Sequence, residues 1–315
     1  MRCRRCRVRS ARNASAAPPN PVRRSRWWKV EDAMLINRHP VGWKDALHAS
    51  LQGCEENVYA LVDGVHNELF YPKLKKTEGF RYLSLYATAP AADEETLGLA
   101  PILVQYSGAQ RKRWDALIEL TDGKPALSII VTPESIEQLA ARLLPWCVVD
   151  ADGYTLALSF ADTRILPVLA DALTPQQRSQ FLGPALRWRY TGRDASWVEL
   201  PLPLEQALPP ADKVQLSAQQ VAALMAASEA DSIAFQFAQY ISKPLAAYTA
   251  YDAHAMIRQW LQVADRVLIE GNQDRFALCE FGIERPELLK DQRYLALLEH
   301  GSGPRTLDET RALLS

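Results

Sequence analysis

The chain has 315 residues, 48% of them hydrophobic, with eight Trp and eleven Tyr, which is enough for two ordinary domains and excludes a disordered polymer. The formal net charge of -1 hides an asymmetry: residues 1–29 hold ten of the 36 Arg and Lys and no acid, leaving 26 bases against 37 acids elsewhere. That balance argues against general nucleic-acid binding by the folded body.

Residues 1–26 are rich in Arg, Ser, Ala and Pro. They read as an arm for nucleic acid or membrane, as a transit peptide, or as a disordered extension upstream of a start near Met34; the last is preferred. Cys3-x-x-Cys6 has the spacing of half a zinc site, but no second Cys/His pair follows, so no metal is expected. With Cys54, Cys147 and Cys279 the cysteines form an odd, sparse set that fits free thiols in a reducing compartment. No apolar run reaches the roughly 18–20 residues of a membrane span. No apolar segment follows the N-terminal charges as in a secretory signal. A soluble cytoplasmic protein without membrane or nucleic-acid partners is expected.

Val41 to Gln52 reads as an amphipathic helix with Trp43, Ala46, Leu47 and Leu51 on one face, closed by Gly53. Val58–Val62 is a strand ending in the turn signal Asp63-Gly64. Phe80–Ala87 and Ala100–Tyr106 are further strands, the second entered through Leu97-Gly98. Arg111–Leu120 is a helix around Trp114. Leu127–Val131 is a strand, and Thr132-Pro133-Glu134 reads as a helix start with Thr132 as N-cap, the helix running to about Leu144. Trp146–Val149 and Tyr154–Phe160 flank the hairpin turn Asp150-Ala-Asp-Gly153, and the alternation of Tyr154, Leu156, Leu158 and Phe160 predicts one buried face. Thr163 is placed to cap a helix carrying Ile165, Leu166, Leu169 and Leu173. Thr174-Pro175-Gln-Gln177 has capping-box spacing for a second helix, ended by Gly183-Pro184. Leu186–Tyr190 and Ser196–Leu200 form a last hairpin.

Four prolines in Pro201–Pro210 mark a linker, after which the pattern is helical. Ser217-x-x-Gln220 starts a helix to about Ser228, and Asp231 onward continues to about Ile241, where Lys243-Pro244 breaks it. Asp252 is read as the cap of Ala253–Glu270, whose stripe of Ala253, Met256, Ile257, Trp260, Leu261, Ala264, Val267 and Leu268 ends at Gly271. Pro286 begins a helix over Glu287–Glu299, and Thr306-x-x-Glu309 caps a terminal one. The expected fold is therefore α+β: a mixed α/β N-terminal lobe with a mixed or antiparallel sheet, then an all-α lobe. The expected division is a basic tail over 1–29, an α/β domain over 30–200, a linker over 201–213 and a helical lobe over 214–315.

Chemistry is sparse. Nucleotide-binding glycine motifs, His-Glu-x-x-His and Gly-x-Ser-x-Gly are absent. Asp150-x-Asp152-Gly153 lacks the distal ligands of a calcium loop and reads as a turn. His66-x-Glu68 lacks the Pro-Cys-x-x-Cys of a zinc deaminase. Cys147 and Cys279 read as packing thiols. Asp63, His66 and His254 are the candidates for a cryptic acid/base site, each weighed against a turn, surface or half-buried role. No catalytic residue, cofactor or metal is assigned.

A resemblance emerges from the order of short motifs: Tyr59-Ala-Leu-Val-Asp-Gly64, Leu97-Gly98 before a Pro-containing strand, Trp114, the acidic hairpin Asp150–Gly153, Phe160-Ala-Asp162-x-Arg164-Ile165-Leu166, and Leu182-Gly183-Pro184 with Trp188. Over about residues 57–190 the chain resembles the adaptor-chaperone family of bacterial type VI secretion systems, long known only as a domain of unknown function. It departs from that pattern in having Leu97-Gly-Leu-Ala-Pro101 for Leu-Gly-Pro, and Asp162-Thr163-Arg164 for Asp-Pro-Arg. The resemblance implies a non-enzymatic chaperone that binds the N-terminal part of an effector toxin and delivers it to the VgrG spike protein. The partner surface is expected in the helical lobe or in the groove between lobes, with Phe237, Tyr248, Tyr251, Met256 and Trp260 as the residues selected for contact. The rivals are an enzyme using Asp63, His66 or His254, and nucleic-acid binding through residues 1–29.

Overall fold

The computed structural model describes residues 35–88, 92–151, 153–203, 207–240, 245 and 247–300. All of them lie in one compact unit, Asp32–Ser315. The basic tail with Cys3 and Cys6, Met34, Asp152, Lys243-Pro244 and the Thr306 cap lie outside the described residues.

A six-stranded antiparallel sheet in the order β2-β3-β1-β4-β7-β8 organises the N-terminal region. Its strands are β1 (Asn57–Asp63), β2 (Tyr82–Ser84), β3 (Pro101–Gln105), β4 (Leu127–Thr132), β7 (Arg187–Thr191) and β8 (Trp197–Glu199). Both faces are covered, so the central strands are apolar at nearly every position. Val58, Ala60 and Val62 of β1 face one side, with Ile129 and Val131 of β4. There they meet α1 (Trp43–Leu51), α2 (Phe70–Lys75) and α4 (Arg111–Ile118). Tyr59 and Leu61 face the other side with Ile130 and Trp188, under α5 (Ile136–Leu143), α6 (Leu166–Ala172) and α7 (Pro175–Leu182).

A small sheet in the order β6-β5-β9 joins β5 (Val148–Ala151) and β6 (Tyr154–Ala157) to β9 (Gln215–Leu216), the last pairing parallel to β5. Beyond it come α8 (Ala218–Tyr240), α9 (Ala250–Arg266), α10 (Asn272–Glu284) and α11 (Gln292–His300). They bury their own core of Phe237, Ile257, Trp260, Cys279, Phe281 and Tyr294. The mixed α/β region followed by an all-helical region is the expected fold class.

Several local expectations are corrected. Ala46 is exposed, and His48 takes its place on the buried face of α1, between the Tyr106 hydroxyl and the Asp115 carboxylate at 2.8 and 2.6 Å. The strand expected over Phe80–Ala87 shortens to β2 and passes into a 3-10 turn over Leu85–Thr88. Leu97-Gly98 does not lead extended chain into β3; it lies in the short helix α3 (Glu94–Leu99), capped by Asp93, whose side chain accepts from Thr96 N. Thr132 stays in the ladder opposite Asn57, so the cap of α5 moves to Ser135, which forms a reciprocal box with Gln138. The buried face expected of Tyr154–Phe160 is lost over β6, the edge strand of the small sheet, which is exposed at every position because no layer covers its faces. Burial resumes at Leu158 and Phe160. Thr163 caps nothing; α6 starts at Leu166 with Ile165 at the N-cap position and no side-chain cap, and the Asp162 carbonyl accepts Leu166 N. Residues 218–240 form one helix rather than two, because no Pro or Gly interrupts them. Thr249, not Asp252, caps α9, which ends at Arg266, leaving Leu268 exposed with a positive φ of 57°. Helix α10 was not anticipated.

Candidate functional site

β1 delivers Asp63 to the interior at its C-terminal end. One carboxylate oxygen, Oδ1, accepts Val65 N at 3.0 Å and starts a 3-10 turn over Gly64–His66. Gly64 is pressed against α3: a Cβ there would lie 2.0 Å from the Gly98 carbonyl oxygen and 2.7 Å from that of Ala100. Asp63-Gly64 is thus the turn its sequence signals, and also a close junction between β1 and α3. It brings His66 round so that its Nε2 lies 2.8 Å from Asp162 Oδ2 and 3.9 Å from Asp63 Oδ2.

Asp162 comes from the segment between β6 and α6. Its Oδ1 accepts the backbone N–H of Arg164 at 2.8 Å, and the Arg164 guanidinium grips the same carboxylate through Nε and Nη2 at 3.1 and 2.7 Å. Nη1 of Arg164 reaches Asp231 of α8 at 3.4 Å, and Arg193, in the β7–β8 turn, holds Asp231 with two bonds of 2.6 Å. The result is a chain of buried or half-buried charges, Asp63–His66–Asp162–Arg164–Asp231–Arg193, running from the central strand into the helical region. Bidentate carboxylate–guanidinium pairs of this kind fix orientation as well as adding energy.

The electrostatics follow from burial. Asp63 is 2% exposed, its Oδ2 has no hydrogen-bond partner among the described residues, and burial raises its pKa to about 6. For Asp162, burial pushes upward, but hydrogen bonds from His66 and Arg164 outweigh it and hold the carboxyl far below the usual range. Burial pushes the nearby Cys147 thiol and Tyr86 hydroxyl up to about 12, helped by the charge of Asp63, so neither ionises near neutrality. His254 lies toward the far end: burial, then the charge of Arg193, lower its pKa to about 4, and its Nε2 has no partner among the described residues.

Asp63 and His66 are therefore brought together, as is Asp162 from the Phe160–Leu166 motif. His254 is separated from them by Arg164, Asp231 and Arg193. Asp162-x-Arg164 was visible as a motif, and the shared spacing of acid and base was the available signal; its contact with Asp231, 67 residues later, had none. The motif Leu182-Gly183 has a second structural explanation. Gly183, at φ 57°, has the Arg142 guanidinium where a Cβ would stand, 2.2 Å from Nε. That buried guanidinium bonds Glu134 and the carbonyls of Gln180 and Leu208. The residues expected to contact a partner fall in two classes. Phe237 and Trp260 are wholly buried, and Met256 and Tyr248 pack half-buried against the same core, whereas Tyr251 is 45% exposed. An open cleft of about 810 Å³ with a mixed polar and apolar lining lies between the α6–α7 turn and the start of α8, bordered by Asp171, Leu173, Gln177, Leu216, Ser217 and Gln220. No helix among the described residues is long and apolar enough to cross a membrane.

No curated protein and no solved structure matches the chain significantly. A family model described as a domain of unknown function (DUF4123) matches residues 58–180, a stretch that holds Asp63, His66, Asp162 and Arg164 and stops before Arg193, Asp231 and His254.

Proposed function

We propose that the chain is a non-enzymatic adaptor that works in the cytoplasm, binds the N-terminal region of a type VI secretion effector toxin and passes it to the VgrG spike protein. The observation that carries this reading is where the motif residues go. Asp63, Gly64, Gly98, Asp162, Arg164 and Gly183 are engaged in turns, close backbone contacts and buried charge pairs. Such residues specify a scaffold rather than a surface that performs chemistry. The DUF4123 match over residues 58–180 covers all of these residues but Gly183 and is compatible with the resemblance.

On this reading the helical region after Pro210, outside the matched stretch, recognises the particular effector. Tyr251 and the edge strand β6 with Tyr154 and Leu156 supply exposed apolar side chains for a partner, and the open edge of β6 supplies backbone groups for an added strand. The test is co-purification of the full chain with a type VI effector and its VgrG expressed together. Retention of both is expected; well-folded chain that retains neither would sink the proposal.

A further inference from the structure

In the charge network, carboxyl groups outnumber guanidinium groups by one. Asp63, Asp162 and Asp231 provide three carboxylates, while Arg164 and Arg193 provide two guanidinium groups. The two guanidinium groups are engaged by Asp162 and Asp231, so the excess falls on Asp63, the least exposed of the three. Its Oδ2 faces His66 Nε2 without a hydrogen bond, 3.9 Å away. A buried carboxyl group with one oxygen unpartnered is stabilised either by taking up a proton or by a positive group beside it, and the open position between Asp63, His66 and Asp162 suits the second.

We propose that Asp63, His66 and Asp162 hold one small divalent transition-metal ion, of the zinc or manganese class, as a structural tie between the end of β1 and the segment before α6. One ligand atom from each residue lies within 4.8 Å of the other two. Ligands about 2.0–2.2 Å from a common ion lie roughly 3–4.3 Å from one another. The observed 2.8 Å and 3.9 Å separations need only sub-ångström shifts to meet that. An imidazole with two carboxylates suits zinc or manganese better than calcium, which takes six to eight oxygens. Arg164, bonded to Asp162 through Nε and Nη2, orients that ligand from outside, as groups behind metal ligands commonly do. Burial of both carboxylates closes the site to bulk water, which favours holding the fold over activating a substrate. The proposal is independent of the adaptor reading, since a structural ion says nothing of partners.

The test uses the full chain, freed of metal by chelator and titrated with Co²⁺ alone, followed by calorimetry and visible absorption. One equivalent per chain is expected, with a spectrum of nitrogen and oxygen ligation. Asp63→Asn and His66→Gln should each weaken binding on the order of 100-fold. The variant Cys3→Ser/Cys6→Ser should bind as the wild type does, and it keeps the site testable if the first two fail to fold. Less than stoichiometric binding, a thiolate-to-cobalt band that vanishes with Cys3 and Cys6, or undiminished binding in folded Asp63→Asn would each overturn the proposal.

Discussion

At the scale of single residues, the motif glycines and acids are determined by what touches them. Gly64 is the sharpest case, because its α-carbon faces backbone rather than a side chain that could move away. Gly64→Ala forces β1 and α3 apart and should cost about 3 kcal/mol or more, the upper part of the overpacking range. Gly53→Ala is the control: it has open space around it and only a positive φ of 74° to strain, so about 1 kcal/mol is expected. Chemical denaturation of both variants checks the difference. Equal losses would mean that the contact with Gly98 is not what selects glycine at position 64.

At the scale of elements, strands and helices with local signals were legible from the chain. Capping boxes at Thr174–Gln177 and Ser217–Gln220 form as their spacing predicts, with both reciprocal bonds present. Long-range pairing overrides a local cap signal at Thr132, which β1 holds in the ladder, so Ser135 caps α5 instead. The exposure of β6 was equally invisible, since alternation reports which side chains share a face and not whether a layer lies over that face. Asp231 shows the reach of one helix residue. It is held by two arginines, from the segment before α6 and from the β7–β8 turn. Asp231→Asn keeps the shape and removes the charge, leaving Arg193 without its carboxylate partner at a largely buried site, while Arg164 keeps Asp162. A destabilisation of about 3–5 kcal/mol is expected, the cost of breaking a buried pair from one side. If the denaturation midpoint barely moves, the network is solvated and does not join the two regions.

At the scale of the whole molecule, the junction between the sheet region and the helices is polar. Gln220 of α8 donates to the Ala172 carbonyl and to Gln177, while Asp231 meets Arg164 and Arg193. His254 is packed beside this junction, facing Arg193, Arg258 and Arg164, with Asp231 as the opposing charge. Its folded pKa of about 4 lies below the 6.5 of the free side chain, so the unfolded chain takes up the proton first. Stability from this group is therefore complete above pH 6.5, falls as pH drops through 6.5 to 4, and levels off below. The slope is at most about 1.4 kcal/mol per pH unit for one proton. His254→Gln should flatten this component, and subtracting its stability–pH curve from that of the wild type isolates it. Parallel curves would mean that His254 titrates normally.

The sequence by itself determined the α+β class, most strand positions, two capping boxes, the helical character beyond Pro210 and the ordered motifs of residues 57–190. These are local: each depends on periodicity or on groups three or four positions apart. Only the tertiary structure decided what the motifs are for. Asp63, His66 and Asp162 lie 99 positions apart end to end along the chain, and Asp231 is 67 positions beyond Arg164. Charge pairing across such separations depends on how layers pack. The same limit explains why Trp260 of the apolar stripe, together with Phe237, could be selected as a partner contact, while their complete burial depended on the packing of the four C-terminal helices against one another.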